Sequence, residues 1–467
     1  MPGVFVESTG GCGAEQGVSS RGGAKMRIIE SIHEIDWNCL SEDVRYQARR
    51  CLLDTLGAAI AGRRTDLSYI VYGFALSVYK GQGAYLWLDG HEVSPPGAAL
   101  GNGMTIDSLD IHDGYELVKG HAGAALVPAA LATLALDHEA KVTGQELLTT
   151  LVIGYEVALR AGLALHATAC DYHTSGAWNA VGCAALTARR LGLSTERTRH
   201  ALGIAEYHGP RSQMIRCIDH PTMLKDGSGW GAMTGVSAAL LARGGFTGAP
   251  ALTVESSEVS EIWADLGTNW LITNQSFKPY AVCYWAQPAI AGALALQRAH
   301  NLPPAAIKRI RVFAFHEATR LACQHPQTTE EAQYSLPFPV AAALVWHQLG
   351  LAELSGVALS DPLVLSLSDR VELVEDPALS TQFPTKRLSR VQIETTDGAI
   401  FDSGEVCPRW DITTPPTDAE LREKFRWLAH SSLSESRTVA LEEMIWQCAD
   451  LPNAASLITL LAPPQEK

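Results

Sequence analysis

Residues 110–124 read DIHDGYELVKGHAGA and place two aspartates, a glutamate, a lysine and two histidines in fifteen positions, ahead of the apolar run LVPAALATLAL. Three further segments concentrate polar residues in apolar surroundings. ACDYHTSGAWN carries His173; RSQMIRCIDHPTMLKDGSGWG carries Arg211, Arg216, His220 and Lys225; FKPYAVCYWAQP carries Lys278, Tyr280, Cys283 and Tyr284. Histidine, lysine, tyrosine and aspartate together suit general acid–base work on an acidic C–H bond. Cations beside them would bind carboxylates and stabilise the enolate-like charge left when a proton leaves the α-carbon.

Each segment also has a plainer reading. Asp110, His112 and Asp113 could form a solvated loop before a helix. His121 and His173 could cap helix N-termini. The KDGSG run at Lys225 could be a turn, and Cys283 a buried thiol. Other catalytic templates are missing. No GxGxxG follows a strand and no Walker motif occurs, so a nucleotide has no visible seat. DIHD lacks the flanking ligands of a calcium or zinc site, and His173-Thr174-Ser175 is not a nucleophile elbow. Neither a metal nor a cofactor is expected.

The elements that must position these residues are mostly helical. Glu42–Gly62 has apolar residues at three and four spacing and a glycine stop. Long candidates follow from Gly144, from Gly176, over STERTRHALGIAEYHG and over GWGAMTGVSAALLARGGF, all rich in Ala and Gly. Near residue 270 the character changes. KRIRVFAFHEA (308–318) alternates like a strand, RLSRVQIETTDGAIFDSGEV (387–406) reads as a hairpin around Asp397–Gly398, and SLPFPVAAALVWHQLG (335–350) as a helix on that sheet. After Pro415–Pro416 the pattern is helical again. The expected fold is mainly α with an α+β part: a tail over 1–26, a helical domain over 27–270 completed by 406–467, and an inserted α+β lid over 271–405.

The chain has 467 residues, a 47% hydrophobic content and a net charge of −14. This length supports a sizeable core, and the charge argues against nucleic acid or an anionic membrane as partner. The ten cysteines are scattered without zinc spacing, which suits reduced thiols in a cytoplasmic protein. The N-terminal stretch lacks the apolar run of a signal peptide.

Taken in order, several segments resemble the MmgE/PrpD family: RCLLDTLGAAIAG, GNGMTIDSLDIHDGY…KGHAGAALVPAALA, GYEVALRAGLALH, YHTSGAWNAVGCAALTARRLGLS, LKDGSGWGAMTGVSAALLARGGFTGAP, FKPYAVCYWAQPAIAGAL, AQYSLPFPVAAAL and EKFRWLA. The resemblance spans roughly residues 28–430 and implies a helical domain with an α+β lid, a homodimer and no cofactor. It also implies proton transfer next to a carboxylate on a small di- or tricarboxylate. It makes Asp110, His121, His173 and Lys225 the expected catalytic residues, with Lys225 and one of the histidines as proton carriers and Asp110 orienting a histidine. Lys119, Arg211, Arg216 and Lys278 are expected on the substrate's carboxylates, with Tyr280 and Cys283 beside them. Tyr155, Tyr172, Tyr280 and Tyr284 are reserves for a second acid. The lyase branch reads DFDDTW and HPSG where this chain has DIHDGYELVKGHAGA, and Cys283 stands where decarboxylase-like members carry a histidine. That spelling moves the expectation to an iminodisuccinate-type epimerase, with a 2-methylcitrate-type hydro-lyase or a cis-aconitate-type decarboxylase as the alternative.

Overall fold

The computed structural model describes residues 21–134, 136 and 141–463. The chain is mainly α, with an α+β part around one four-stranded sheet. Helix α1 spans Arg21–Glu34. Residues 1–20 of the expected tail lie outside the described residues, and 21–26, assigned to that tail by sequence, instead open α1. Helices α2 (Glu42–Gly62), α3 (Asp66–Val78), α4 (Pro95–Asp107), α5 (Gly123–Ala132), α6 (Gly144–Thr168), α7 (Gly176–Arg190), α8 (Thr195–His208) and α9 (Ser228–Arg243) follow.

Local chemistry sets their ends. Thr65, Thr143 and Ser194 accept the amides of Ser68, Glu146 and Arg197, three residues into α3, α6 and α8, each satisfying one orphan donor. Pro95 and Pro96 occupy the first turn of α4, where a missing N–H breaks no helical bond. Helix α6 is long and apolar enough to cross a membrane, but that stretch is 94% buried within the protein.

Small residues decide how the helices cross. A Cβ built on Gly103 of α4 would lie 2.7 Å from the Cα of Gly229 in α9, and one on Gly229 would lie 2.5 Å from the carbonyl oxygen of Leu100. The two backbones therefore touch. This contact brings the loop leaving α4 beside the loop entering α9, which carry Asp110 and Lys225 respectively.

The α+β part comprises α10 (Gln287–His300), β1 (Ile307–Ala314), α11 (Pro337–Trp346), β2 (Val371–Glu375), β3 (Ser389–Thr395) and β4 (Ile400–Val406). The strand order is β2-β1-β3-β4, with β1 and β2 parallel and the other pairs antiparallel. Ile310 stands between Val371 and Ile393, and Val312 between Leu373 and Val391. Alternation buries Ile310, Val312, Val391 and Ile393 on one face, and α10 lies on it, with Gly292 against Val391. The hairpin expected around Asp397–Gly398 is the β3–β4 turn, and Gly398 supplies its positive φ of 91°.

The chain then returns to the helical part through α12 (Asp418–Ala429) and α13 (Glu435–Trp446), both packed on α2. Thr417 and Glu420 form a capping box at the start of α12. From this helix Lys424 reaches inward: its Nζ donates to Asp54 Oδ1 of α2 at 2.5 Å and to the Ile111 carbonyl at 2.7 Å.

The α4–α9 crossing has a measurable consequence. Gly229→Ala forces an extra methyl into backbone contact and should cost about 2 kcal/mol, read as a lower urea midpoint at unchanged m-value. An unchanged midpoint would mean that the two helices are not held at this distance.

Candidate active site

The loop between α4 and α5 turns twice through the left-handed region, at Asp110 (φ 49°) and Lys119 (φ 56°). Non-glycine residues stay there only when their surroundings hold them, and here several do. The Asp110 amide donates to the Asp107 carbonyl at 3.1 Å. Gly114 exchanges two backbone hydrogen bonds with Ser276, at 2.9 and 2.8 Å. That short ladder delivers Lys278, two residues on, to the Asp110 carboxylate.

Asp110 Oδ1 accepts a hydrogen bond from Lys278 Nζ, and both side chains are buried. Burial by itself would push the Asp110 carboxyl up. Lys278, with Lys225 beyond it, outweighs that cost and holds it down at about 2. Asp110 is therefore a fixed negative charge.

His121 sits against it, with Nε2 3.9 Å from Asp110 Oδ1. The other ring nitrogen, Nδ1, lies 2.6 Å from the Asp113 carbonyl oxygen. A carbonyl can only accept, so Nδ1 carries a proton and donates it. Burial, followed by the charges of Lys278 and His112, lowers the His121 pKa well below the ordinary histidine value. The ring is then neutral, with a bare lone pair on Nε2. Its backbone is held on both sides: the amide donates to Ser175 Oγ at 2.9 Å, and Asn179 Nδ2 donates to its carbonyl at 2.7 Å. Gly114 leaves room for the ring, because a Cβ there would lie 2.8 Å from Nδ1.

Behind this pair, Asp113 accepts from Tyr155 Oη at 2.7 Å and from the Gly123 amide at 3.2 Å. Burial raises its carboxyl to about 6. Lys225, also at positive φ (49°), donates to Gln333 Oε1 and lies 4.9 Å above the Tyr334 ring. Gln333 in turn donates to the Ser108 carbonyl at 3.0 Å. Burial drives the Tyr334 phenol well above its ordinary pKa, so it stays protonated.

These groups surround one narrow cleft lined by Asp110, Glu116, Lys119, His121, Tyr172, Asp226, Cys283, Tyr284, Tyr334 and Arg387, among others. Of the residues singled out by sequence, Asp110, His121, Lys119 and Cys283 line it, as do Tyr172 and Tyr284. Lys278 meets it through Asp110. Lys225 stands behind Tyr334 and borders a separate outer cavity, together with Arg216 and His220. Arg211 and Arg216 are exposed and outside the cleft. His173 turns its Nδ1 to the Asp171 carbonyl at 2.9 Å and is not among the lining residues. Tyr280 lines a different cavity with Arg298, Arg409 and Trp427, and Tyr155 lies behind Asp113. The Cys283 thiol is pushed up to about 12 by burial, which removes it as a thiolate nucleophile.

Four of these lining residues escape the sequence reading. Tyr334 lies inside the quoted AQYSLPFP motif, Glu116 inside DGYELVKGH and Asp226 inside the KDGSG run, so a signal existed for all three. Arg387 carries none, because it reads as the polar start of a strand. Among the described residues, no group of three or more His, Cys, Asp or Glu is placed to hold a metal ion.

Residues 26–262 match the MmgE/PrpD N-terminal domain, and residues 280–450 match the MmgE/PrpD C-terminal domain. The chain is 27% identical to the human cis-aconitate decarboxylase, over 93% of each chain. It is 24% identical to a cis-aconitate decarboxylase-like protein, oryM, of Aspergillus oryzae, over 94% of this chain and 98% of that one. It is 25% identical to the 2-methylcitrate dehydratase of Cupriavidus necator, over 81% and 84%.

The charge arrangement around His121 is open to direct test by NMR. The His121 ring should titrate well below the ordinary value near 6.5. Asp110→Asn removes the negative charge that favours the imidazolium and leaves Lys278 to oppose it, so the His121 pKa should fall further. A rise in this variant would contradict the assignment.

Proposed function

The chain belongs to the MmgE/PrpD family, and we propose that it is a lyase acting on a small polycarboxylate through acid–base chemistry at the carbon next to a carboxylate. The observation that carries this reading is His121: a partly buried, neutral imidazole with its Nδ1 proton committed to a carbonyl and its Nε2 free in the cleft. Such a nitrogen is a proton acceptor.

In the elimination this supports, Nε2 takes the proton from the carbon α to a carboxylate. The electron pair moves into that carboxylate, then forms the C=C bond as the C–O bond to a β-hydroxyl breaks. The imidazolium forms 3.9 Å from Asp110, whose charge Lys278 keeps in place. Nearby buried cations stabilise the negative charge that builds up on the substrate in a site of low dielectric. Tyr334, protonated and lining the same cleft, is the proposed donor to the departing hydroxyl, which leaves as water. Cys283, as a neutral thiol, packs against the substrate.

Decarboxylation is the second reading, favoured by the names of the human and fungal relatives. There a C–C bond breaks, carbon dioxide leaves, and the carbanion takes a proton. Because His121 starts neutral, that proton would come from Tyr334. Epimerisation of an iminodisuccinate-like acid, the outcome that DGYELVKGH first suggested, would use the same base; the relatives described above are lyases by name.

The test is a panel of 2-methylcitrate, cis-aconitate and iminodisuccinate. The expected product is an unsaturated acid formed from a hydroxy acid, with His121→Asn lowering kcat by about 10²-fold or more. Carbon dioxide release from cis-aconitate would select the second reading. Loss of stereochemistry on iminodisuccinate with neither product would overturn the lyase.

A further inference from the structure

We propose that Arg387 and Lys119 form a receptor for a carboxylate of the substrate that does not react, so that the acid bridges the helical and α+β parts. This rests on the reading of the cleft as a polycarboxylate site and names the residues that would select for the extra charge.

Arg387 is the last-but-one residue before β3, and its side chain is only 3% exposed. Its Nη2 donates to the Glu116 carbonyl at 2.9 Å. Its Nη1 has no hydrogen-bond partner and stands 3.7 Å from Glu116 Oε1. The guanidinium faces the rings of Tyr284 and Phe383, at 5.6 and 5.9 Å. Those rings take up its flat faces and leave the N–H edge as the side available for hydrogen bonding. A buried guanidinium donor without a partner is costly, and this one borders the cleft.

Lys119 lines the same cleft, and its ammonium lies 5.3 Å from the Tyr172 ring, with no carboxylate within 4 Å among the described residues. Partial burial, and next the charge of Arg387, lower its pKa. Two cations are thus brought into mutual repulsion beside one cavity. Glu116 answers only one of them, and its own carboxyl is pushed up by burial. One net positive charge and one spare planar N–H edge remain. A carboxylate supplies the missing charge and accepts from the guanidinium edge. Lys119 and His121 ride on one loop, two residues apart, so an acid held by the first is presented to the second. Arg387 reaches the same loop from the α+β part.

The experiment is calorimetric titration with tricarballylate, which carries three carboxylates and has neither a hydroxyl nor a double bond to react. Arg387→Gln should weaken its binding tenfold or more, Lys119→Gln should weaken it several-fold, and Arg387→Lys should recover part of the loss. Arg390→Gln, on the outer face of the sheet and paired with Asp402, controls for damage to β3 and should bind as the wild type does. In turnover, the Arg387→Gln loss should fall mainly on KM. Wild-type affinity in Arg387→Gln, or no binding of tricarballylate to the wild type, overturns the receptor. A protein inactive on every acid tested but with Arg387-dependent tricarballylate binding keeps the receptor and loses the reaction. An active enzyme whose KM ignores Arg387 keeps the reaction and loses the receptor.

Discussion

The buried ion pair between Asp110 and Lys278 is the contact on which the site depends. Taking two charges out of water costs several kcal/mol per ion, and only close pairing offsets it. Lys278 therefore fixes the carboxylate, and the carboxylate fixes a loop held twice at positive φ. The same pair joins the helical part to the start of the α+β part, reinforced by the backbone ladder between Gly114 and Ser276. Removing the charge of either partner would strand the other charge in the interior.

That loop is held from two further directions. Lys424, from α12 near the end of the chain, donates to the Ile111 carbonyl, one residue past Asp110, and pairs with Asp54 of α2. Ser175 and Asn179, at the start of α7, grip the His121 backbone. Ser175 also donates to Asp226 at 2.6 Å, linking the His121 loop to the loop of Lys225. The small residues of α4 and α9 allow these loops to meet at all. Site geometry and helix packing are therefore one constraint: a methyl at Gly229 acts on the cleft through the backbone that presents Asp110 and Lys225.

Much of the fold was legible because its helices announce themselves. The Glu42–Gly62 pattern gave both ends of α2, and the Asp397–Gly398 turn gave the hairpin. Helix α4 was missed because PPGAALGNGMTID is buried on every side from Gly97 onward and so has no amphipathic period to read. Strand β2 was missed because VELVE is short and pairs in parallel with a strand some sixty residues earlier. In the site, Asp110, Lys119 and His121 stand out because they cluster along the chain, and the structure places all three on one cleft; Lys278, 168 residues beyond Asp110, meets it through the fold. Those whose role depends on side-chain direction were not separable by type. His173, Arg211, Arg216 and Tyr280 are as polar as the lining residues, yet they face a backbone carbonyl, solvent or another cavity. Arg387 lies 271 residues from the Glu116 carbonyl it binds, a distance no local pattern encodes.

The central claim is that a neutral His121, oriented by the Asp113 carbonyl and balanced by Asp110 once it becomes an imidazolium, moves the proton at the carbon beside a carboxylate. The most direct measurement is the fate of that proton in D₂O, followed by NMR on the acid recovered after partial turnover. The wild type should place deuterium at a single carbon, on a single face, and His121→Asn should place none there while still binding the acid. Undiminished deuterium incorporation in His121→Asn would contradict the account.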